Sequence, residues 1–299
     1  MALHWSTVSS FISCPQGHLW DRGCPGIDLG AGDGKPKPVA DAERKSAHWS
    51  IQGTVLASFM EDFYNEKLWQ WPAALQGIVD DRLPTYLFMA SKDKWIDRRE
   101  TTPLEIQQNV RAGITGFLKI VKENGLLAEH AEAETLLRAR LPNGVVVGGH
   151  PDLILRDGNR VTIIDGKNSL KIDNDADQLR WYAMVLKYQR GWDTHRMGFL
   201  YFRYPPDSPP KTWKSSVPWT GIVDVPHAVD GFEELERKAL AVKTGLQALE
   251  FPATPSTAAC QYCQHKTSCD GYKNRPRRIT KKALPIVGDA IPEGLLEWD

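Results

Sequence analysis

Two strand-like stretches near the middle of the chain, residues 145–155 and 161–165, are apolar on both faces at Val145–Val147, Leu153–Leu155 and Val161, Ile163 and Ile164, yet Asp152, Asp165 and Lys167 stand in or just beyond them. A strand that is apolar on both sides belongs inside a sheet covered on both sides, so the chain needs helical layers above and below. Charges placed there need compensation, because a buried carboxylate without a partner takes up a proton. Asp157-Gly158 between the stretches predicts a two-residue hairpin turn, which would pair Asp152 with Ile163 and set Asp165 diagonally across from Asp152 on the same face. A diagonal gap of ~7 Å would let both carboxylates reach one divalent cation with oxygen ligands at ~2.1 Å, with Lys167 on the same face to orient a water. The alternative is a solvated hairpin carrying surface ion pairs, and the apolar flanks count against it.

The remaining pattern fits an α/β chain with a helical N-terminal arm. Apolar residues recur at three-and-four spacing from Ser46 to about Trp69, and further helical stretches follow at 73–92 and 103–125. Strands are expected at 134–141, 145–155, 161–165, 197–204 and 213–223, with helices at 6–14, 175–190 and 229–249, and a surface loop at 23–38. The expected organisation is one integrated domain: a helical region 1–128, a core 129–250, a cysteine-rich basic element 251–282 and an acidic tail 283–299. Lys plus Arg and Asp plus Glu each total 37, which excludes a uniformly basic nucleic-acid binder but not a locally basic one. No apolar run approaches the ~20 residues of a membrane span, and residues 1–10 lack the pattern of a secretion signal, so the expected compartment is the cytoplasm.

The five cysteines fall into two groups, Cys14 and Cys24 near the start and Cys260, Cys263 and Cys269 near the end. Clustered thiols in a reducing compartment more often bind metal than pair with one another. Three late thiolates need a fourth ligand from elsewhere, for which Cys14 is the leading candidate; a zinc site completed by His265 or Cys24 is the alternative. Directly behind this loop, residues 266–282 hold seven Lys or Arg against Asp270 alone. With Tyr262 and Tyr272 interleaved, the run, and Arg275, Arg277 and Arg278 in particular, could guide a phosphate backbone. The eleven tryptophans are ambiguous, and Trp5, Trp49, Trp69 and Trp181 lie on helical patterns that more often mark core than base-stacking platforms.

Pro151-Asp152, twelve residues, then Asp165-Gly166-Lys167 resembles the signature of PD-(D/E)XK nucleases, and Gln178-Leu-Arg-Trp-Tyr182 resembles the Gln-x-x-x-Tyr motif of their RecB-like branch. The segment Ser9 to Pro15 around Cys14 is similar to the Cys-Pro element of RecB-like nucleases that hold a [4Fe-4S] cluster with one early and three late cysteines, among them CRISPR adaptation exonucleases and the nuclease arms of helicase-nucleases. The resemblance implies a restriction-endonuclease-like core with a mixed central sheet, and an iron-sulfur cluster on Cys14, Cys260, Cys263 and Cys269. It implies Mg²⁺ or Mn²⁺ at Asp152, Asp165, Gly166 and Glu61, and Lys167, Gln178 and Tyr182 as further catalytic residues. The substrate would be DNA ends, single-stranded or with overhangs, and the partners a helicase, annealing or integrase protein. One departure stands out: the family often has Gly-x-x-x-His on its N-terminal helix, where Gln52-Gly53-Thr-Val-Leu-Ala57 offers alanine, with Glu61 one turn later. Two other readings compete. One is a catalytically weak iron-sulfur DNA-binding subunit, and the other a zinc deaminase built on His130-Ala-Glu132 and Cys260-x-x-Cys263.

Overall fold

The computed structural model describes residues 2–22, 47–92, 94–128, 130–168, 176–201, 222–225 and 231–256, together with Cys260, Cys263, His265 and residues 269–273. Cys24, Tyr262, Arg275, Arg277, Arg278, the expected loop at 23–38, residues 213–221 of the strand expected at 213–223 and the tail at 283–299 lie outside the described residues.

Strands apolar on both faces build the expected covered sheet. Strands β2 (His130–Ala133), β5 (Leu153–Asp157), β6 (Arg160–Lys167), β7 (Thr194–Tyr201) and β8 (Ile222–Val225) follow one another in the order β2-β5-β6-β7-β8. Only β6 and β7 run parallel, which requires a crossover; the helix between them is α6 (Ala176–Arg190). Leu153, Leu155, Ile164 and Leu200 point to one side of this sheet, into a core with α3 (His48–Asn65), α4 (Leu75–Ser91) and α5 (Pro103–Glu123). Ile154, Val161, Ile163, Met197, Phe199 and Tyr201 point to the other, against α6 and α7 (Glu233–Ala248). The strands are therefore buried on both faces, as their composition requires, and the fold is a mixed α/β sheet flanked by helices.

Within the first layer, Phe59, Phe63, Tyr64 and Phe117 pack edge-to-face with centroids 5.1–6.2 Å apart, a geometry worth ~0.5–1.5 kcal/mol per pair beyond simple burial. Helix α5 starts from a capping box in which Thr102 and Glu105 each satisfy the other's backbone N–H.

Several boundaries differ from expectation. Helix α1 (Trp5–Ser13) is entered from His4 and followed by α2 (Pro15–Arg22), and α3 ends at Asn65, with only a 3₁₀ turn Leu68–Gln70 beyond it. More consequential is the run 145–155, which is two strands in two sheets. β4 (Val146–Gly149) belongs to a three-stranded sheet, β1-β4-β3, with β1 (Leu3–His4) and β3 (Leu137–Arg140). The chain leaves it at His150-Pro151-Asp152 and re-enters the larger sheet as β5, since Pro151 has no N–H to continue a ladder. Helix α6 bridges the two sheets: Trp181 Nε1 donates to the carbonyl of Gly148 at 2.8 Å, and a Cβ on Gly149 would lie 2.9 Å from the Tyr182 ring. Gly149 thus lets α6 settle onto β4 beside the chain crossing.

Candidate active site

Gly158, with φ +56°, and Asn159 are the two central residues of the β5–β6 turn, so Asp157 pairs with Arg160 and the ladder runs back to Leu153 opposite Ile164. The expected pairing of Asp152 with Ile163 is therefore displaced by two residues. One step beyond Leu153–Ile164, Asp152 comes opposite Asp165, directly rather than diagonally. A shift of two keeps every side chain on its face, which is why the two carboxylates still meet. The Asp152 carboxylate accepts from the Gly166 amide at 2.7 Å, which carries it across onto the neighbouring strand.

The row has a third acid that the motifs do not announce. Ala133 of β2 pairs with Leu153, so Glu134 stands opposite Asp152, and its N–H donates to the Asp152 carbonyl at 3.1 Å. Glu134 holds a left-handed backbone with φ +49°, uncommon outside glycine, and lies 3.0 Å from His150 Nδ1. Three carboxylates thus sit side by side at the ends of β2, β5 and β6. The only sequence signal for Glu134 is its distance from the end of β2, which has meaning once the β2–β5 register is known.

Asp165 is 3% exposed, and its charge is met from two elements. Lys167 Nζ lies 2.8 Å from one carboxylate oxygen, and Gln178 Nε2 donates to the other at 2.8 Å. Gln178 also donates to the Tyr182 hydroxyl at 3.0 Å and accepts from Lys167 Nζ at 2.8 Å, so one amide from α6 orients the acid, the base and the phenol together. The α6 frame is itself tied down, because Asp177 takes Lys238 of α7 at 2.6 Å. Asp152, Asp165, Lys167, Gln178 and Tyr182, named from sequence alone, come together in one site.

A model of the PD-(D/E)XK nuclease superfamily matches residues 5–270 of this sequence. The chain belongs to that superfamily. No curated protein matches it. A solved structure titled "Crystal structure of SSO0001" is 18% identical, with a TM-score of 0.28, over 58% of this chain and 78% of that one.

Nucleases of this superfamily use divalent metals, and the donor set here suits one. Burial, followed by the charge of Asp165, pushes Asp152 up to about 8, while the Gly166 amide opposes the rise. Burial also raises Glu134, with the charges of Glu61 and Asp165 adding to it and His150 opposing. Oxygen donors that repel one another in a dry setting are what a hard dication relieves. Among the described residues no three His, Cys, Asp or Glu side chains form a ready-made metal site.

Helix α3 borders the acidic row of this nuclease fold. A Cβ on Gly53 would lie 3.3 Å from the Asn168 side chain, just after Lys167, and Glu61, two turns further, is within electrostatic range of Glu134. Ala57 lies between them, where the family often has histidine, so the acids meet no imidazole from this position.

Cys14, Cys260, Cys263 and Cys269 line one cavity of about 190 Å³ with Gly17, Trp20 and Tyr272. The Gly17 amide lies 3.4 Å from Cys14 Sγ. His265, considered as a zinc ligand, does not line the cavity; its Nε2 lies 2.6 Å from Asp21, and its ring packs against Trp20 with centroids 5.4 Å apart. Glu132, considered for a deaminase, is engaged by Arg190 at 2.6 Å.

The raised carboxyls carry a sign for stability. In EDTA, folded Asp152 holds its proton more firmly than the unfolded chain does, so its contribution to folding is largest below the ordinary carboxylate range and is lost as pH rises from about 4 to about 8. Asp152→Asn should therefore flatten the fall in melting temperature over that window, and saturating Mg²⁺ should stabilise the wild type more at pH 8 than at pH 5. Parallel melting curves for the two proteins in EDTA would exclude the coupling.

Proposed function

We propose that the protein is a metal-dependent DNA nuclease that hydrolyses phosphodiester bonds at DNA ends, an exonuclease of the RecB-like branch. The observation that carries this reading is the row of Glu134, Asp152 and Asp165 with Lys167 beside it and Gln178 holding the parts in register. Asp152, Asp165, the Gly166 backbone and, from α3, Glu61 would hold Mg²⁺ or Mn²⁺. When bound, the cation polarises the scissile phosphate and makes water a better nucleophile.

The side chains supply the rest. Lys167 is close enough to Asp165 to hydrogen-bond a water at the row and to offset charge developing on the phosphate oxygens. Gln178 fixes the direction of Asp165 and Lys167, so that neither pays reorientation at the moment of reaction. Tyr182 stays protonated, because burial, followed by the charge of Asp165, holds the phenol well above its ordinary range. Its oxygen accepts from Gln178, leaving its own proton to donate to the substrate. An all-oxygen set without an imidazole at 57 favours Mg²⁺ and Mn²⁺ over softer metals.

The support for a [4Fe-4S] cluster as a clip between the two ends of the described chain is that four cysteines line one cavity, with His265 turned to Asp21. Arg275, Arg277 and Arg278, directly behind this loop in sequence, would track the phosphate backbone, and a helicase, annealing or integrase protein would present the end. A second reading, an iron-sulfur DNA-binding subunit with weak catalysis, draws its support from alanine at 57.

End-labelled linear DNA and closed circular DNA, single- and double-stranded, incubated with Mg²⁺, Mn²⁺ or EDTA, test the activity. Cleavage should require metal and a free end, and Asp152→Ala, Asp165→Ala and Lys167→Ala should each lower the rate by ~10³-fold or more, with Gln178→Ala impaired less. Metal-independent cleavage, or wild-type turnover in Asp165→Ala, would defeat the reading; metal-dependent DNA binding without cleavage would select the binding subunit.

Protein purified without oxygen should be brown, with about four iron and four sulfide per chain, and Cys14→Ser or Cys263→Ser should remove the colour while Cys24→Ser keeps it. Stoichiometric zinc without sulfide would exclude the cluster.

A further inference from the structure

Trp49 does not behave as the core residue that its helical spacing suggests. It stands in the first turn of α3 and is 39% exposed, whereas Trp181 is fully buried. Its place relative to the site is set by the main chain: the Trp49 carbonyl accepts from Asn168 Nδ2 at 2.8 Å, and Asn168 directly follows Lys167. The exposed indole is thus carried by a residue tied to the end of the catalytic strand. Its neighbourhood is aromatic and basic. The His48 ring, itself buried, lies 4.2 Å from the Trp49 ring, centroid to centroid, and backs it. Trp95, 37% exposed, accepts the Ala47 amide through its carbonyl at 2.9 Å, and Lys94 Nζ donates to Ser50 at 3.0 Å. One turn along α3 from Trp49, a Cβ on Gly53 would lie 3.3 Å from the Asn168 side chain, so the bare glycine backbone lets the end of the catalytic strand approach this part of the helix closely.

We propose that Trp49 is a stacking platform for an unpaired base of the substrate strand, next to the phosphate held at Asp152 and Asp165, with Lys94 balancing backbone charge. The inference rests on the nuclease reading and narrows its substrate to DNA with a single-stranded end. An indole with an exposed face and a polarised ring accepts any base, whereas the bases inside a duplex are already stacked on each other and have no face to offer. Trp49 is a binding residue in this account and takes no part in proton transfer.

Fluorescence anisotropy in EDTA tests binding apart from cleavage, using labelled oligo(dT), the same length of abasic sugar-phosphate strand, and a blunt duplex. Trp49→Ala and Trp49→Leu should each weaken oligo(dT) binding by on the order of tenfold, Trp49→Phe should stay within about twofold of wild type, and all four proteins should bind the abasic strand and the duplex alike. Circular dichroism melts identify any variant that misfolds, and Trp49→Leu and Trp49→Phe keep the side-chain bulk that Trp49→Ala removes. Equal oligo(dT) affinity in all variants, or an equal loss on the abasic strand, would overturn the proposal while leaving the nuclease reading intact. Wild-type protein that binds none of the three probes, in EDTA or with Ca²⁺ in its place, would overturn both.

Discussion

Asp165, buried, and Asp152, half-buried, stand face to face across a hairpin, and nearly everything around them follows from the cost of keeping them there. Two carboxylates in a dry setting cannot both ionise without help. The fold answers with the Gly166 amide on Asp152, with Lys167 and Gln178 on Asp165, and with Tyr182 held through Gln178. The second sheet, the crossing at His150-Pro151-Asp152 and the bare backbone of Gly149 bring α6 close enough to deliver that amide.

This arrangement connects stability to chemistry. The same burial and, after it, carboxylate repulsion that raise Asp152 and Glu134 would be relieved by a dication. Membership of the PD-(D/E)XK superfamily, shown over residues 5–270, makes a nuclease the natural use of such a site. Among the described residues no helix is long and apolar enough to cross a membrane.

Much of this was legible in the sequence, for physical reasons that also explain where reading it stopped. Strands apolar on both faces announce a sheet covered on both sides, and parity alone puts Asp152, Asp165 and Lys167 on one face. Asp157-Gly158 predicts the turn one residue before its actual place at Gly158-Asn159, and the two carboxylates still share a face because the resulting register shift is two. The division of 145–155 between two sheets was not legible, since Pro151 signals a break without saying which sheet receives the chain. Glu134 joins the row only through pairing of β2 with β5, a relation between segments that no local pattern encodes. Trp49 shares the helical spacing of core residues and differs only in being in the first turn, where α3 reaches solvent.

The central claim is that the acidic row binds a divalent cation through Asp165 and its neighbours. Titrating the protein with Mn²⁺ while following the electron paramagnetic resonance of the free ion measures this without DNA or turnover. The account predicts stoichiometric loss of free signal at pH 8, competed by Mg²⁺, and its disappearance in Asp165→Asn although that protein remains folded. Undiminished Mn²⁺ binding by Asp165→Asn, or none by the wild type, would contradict it.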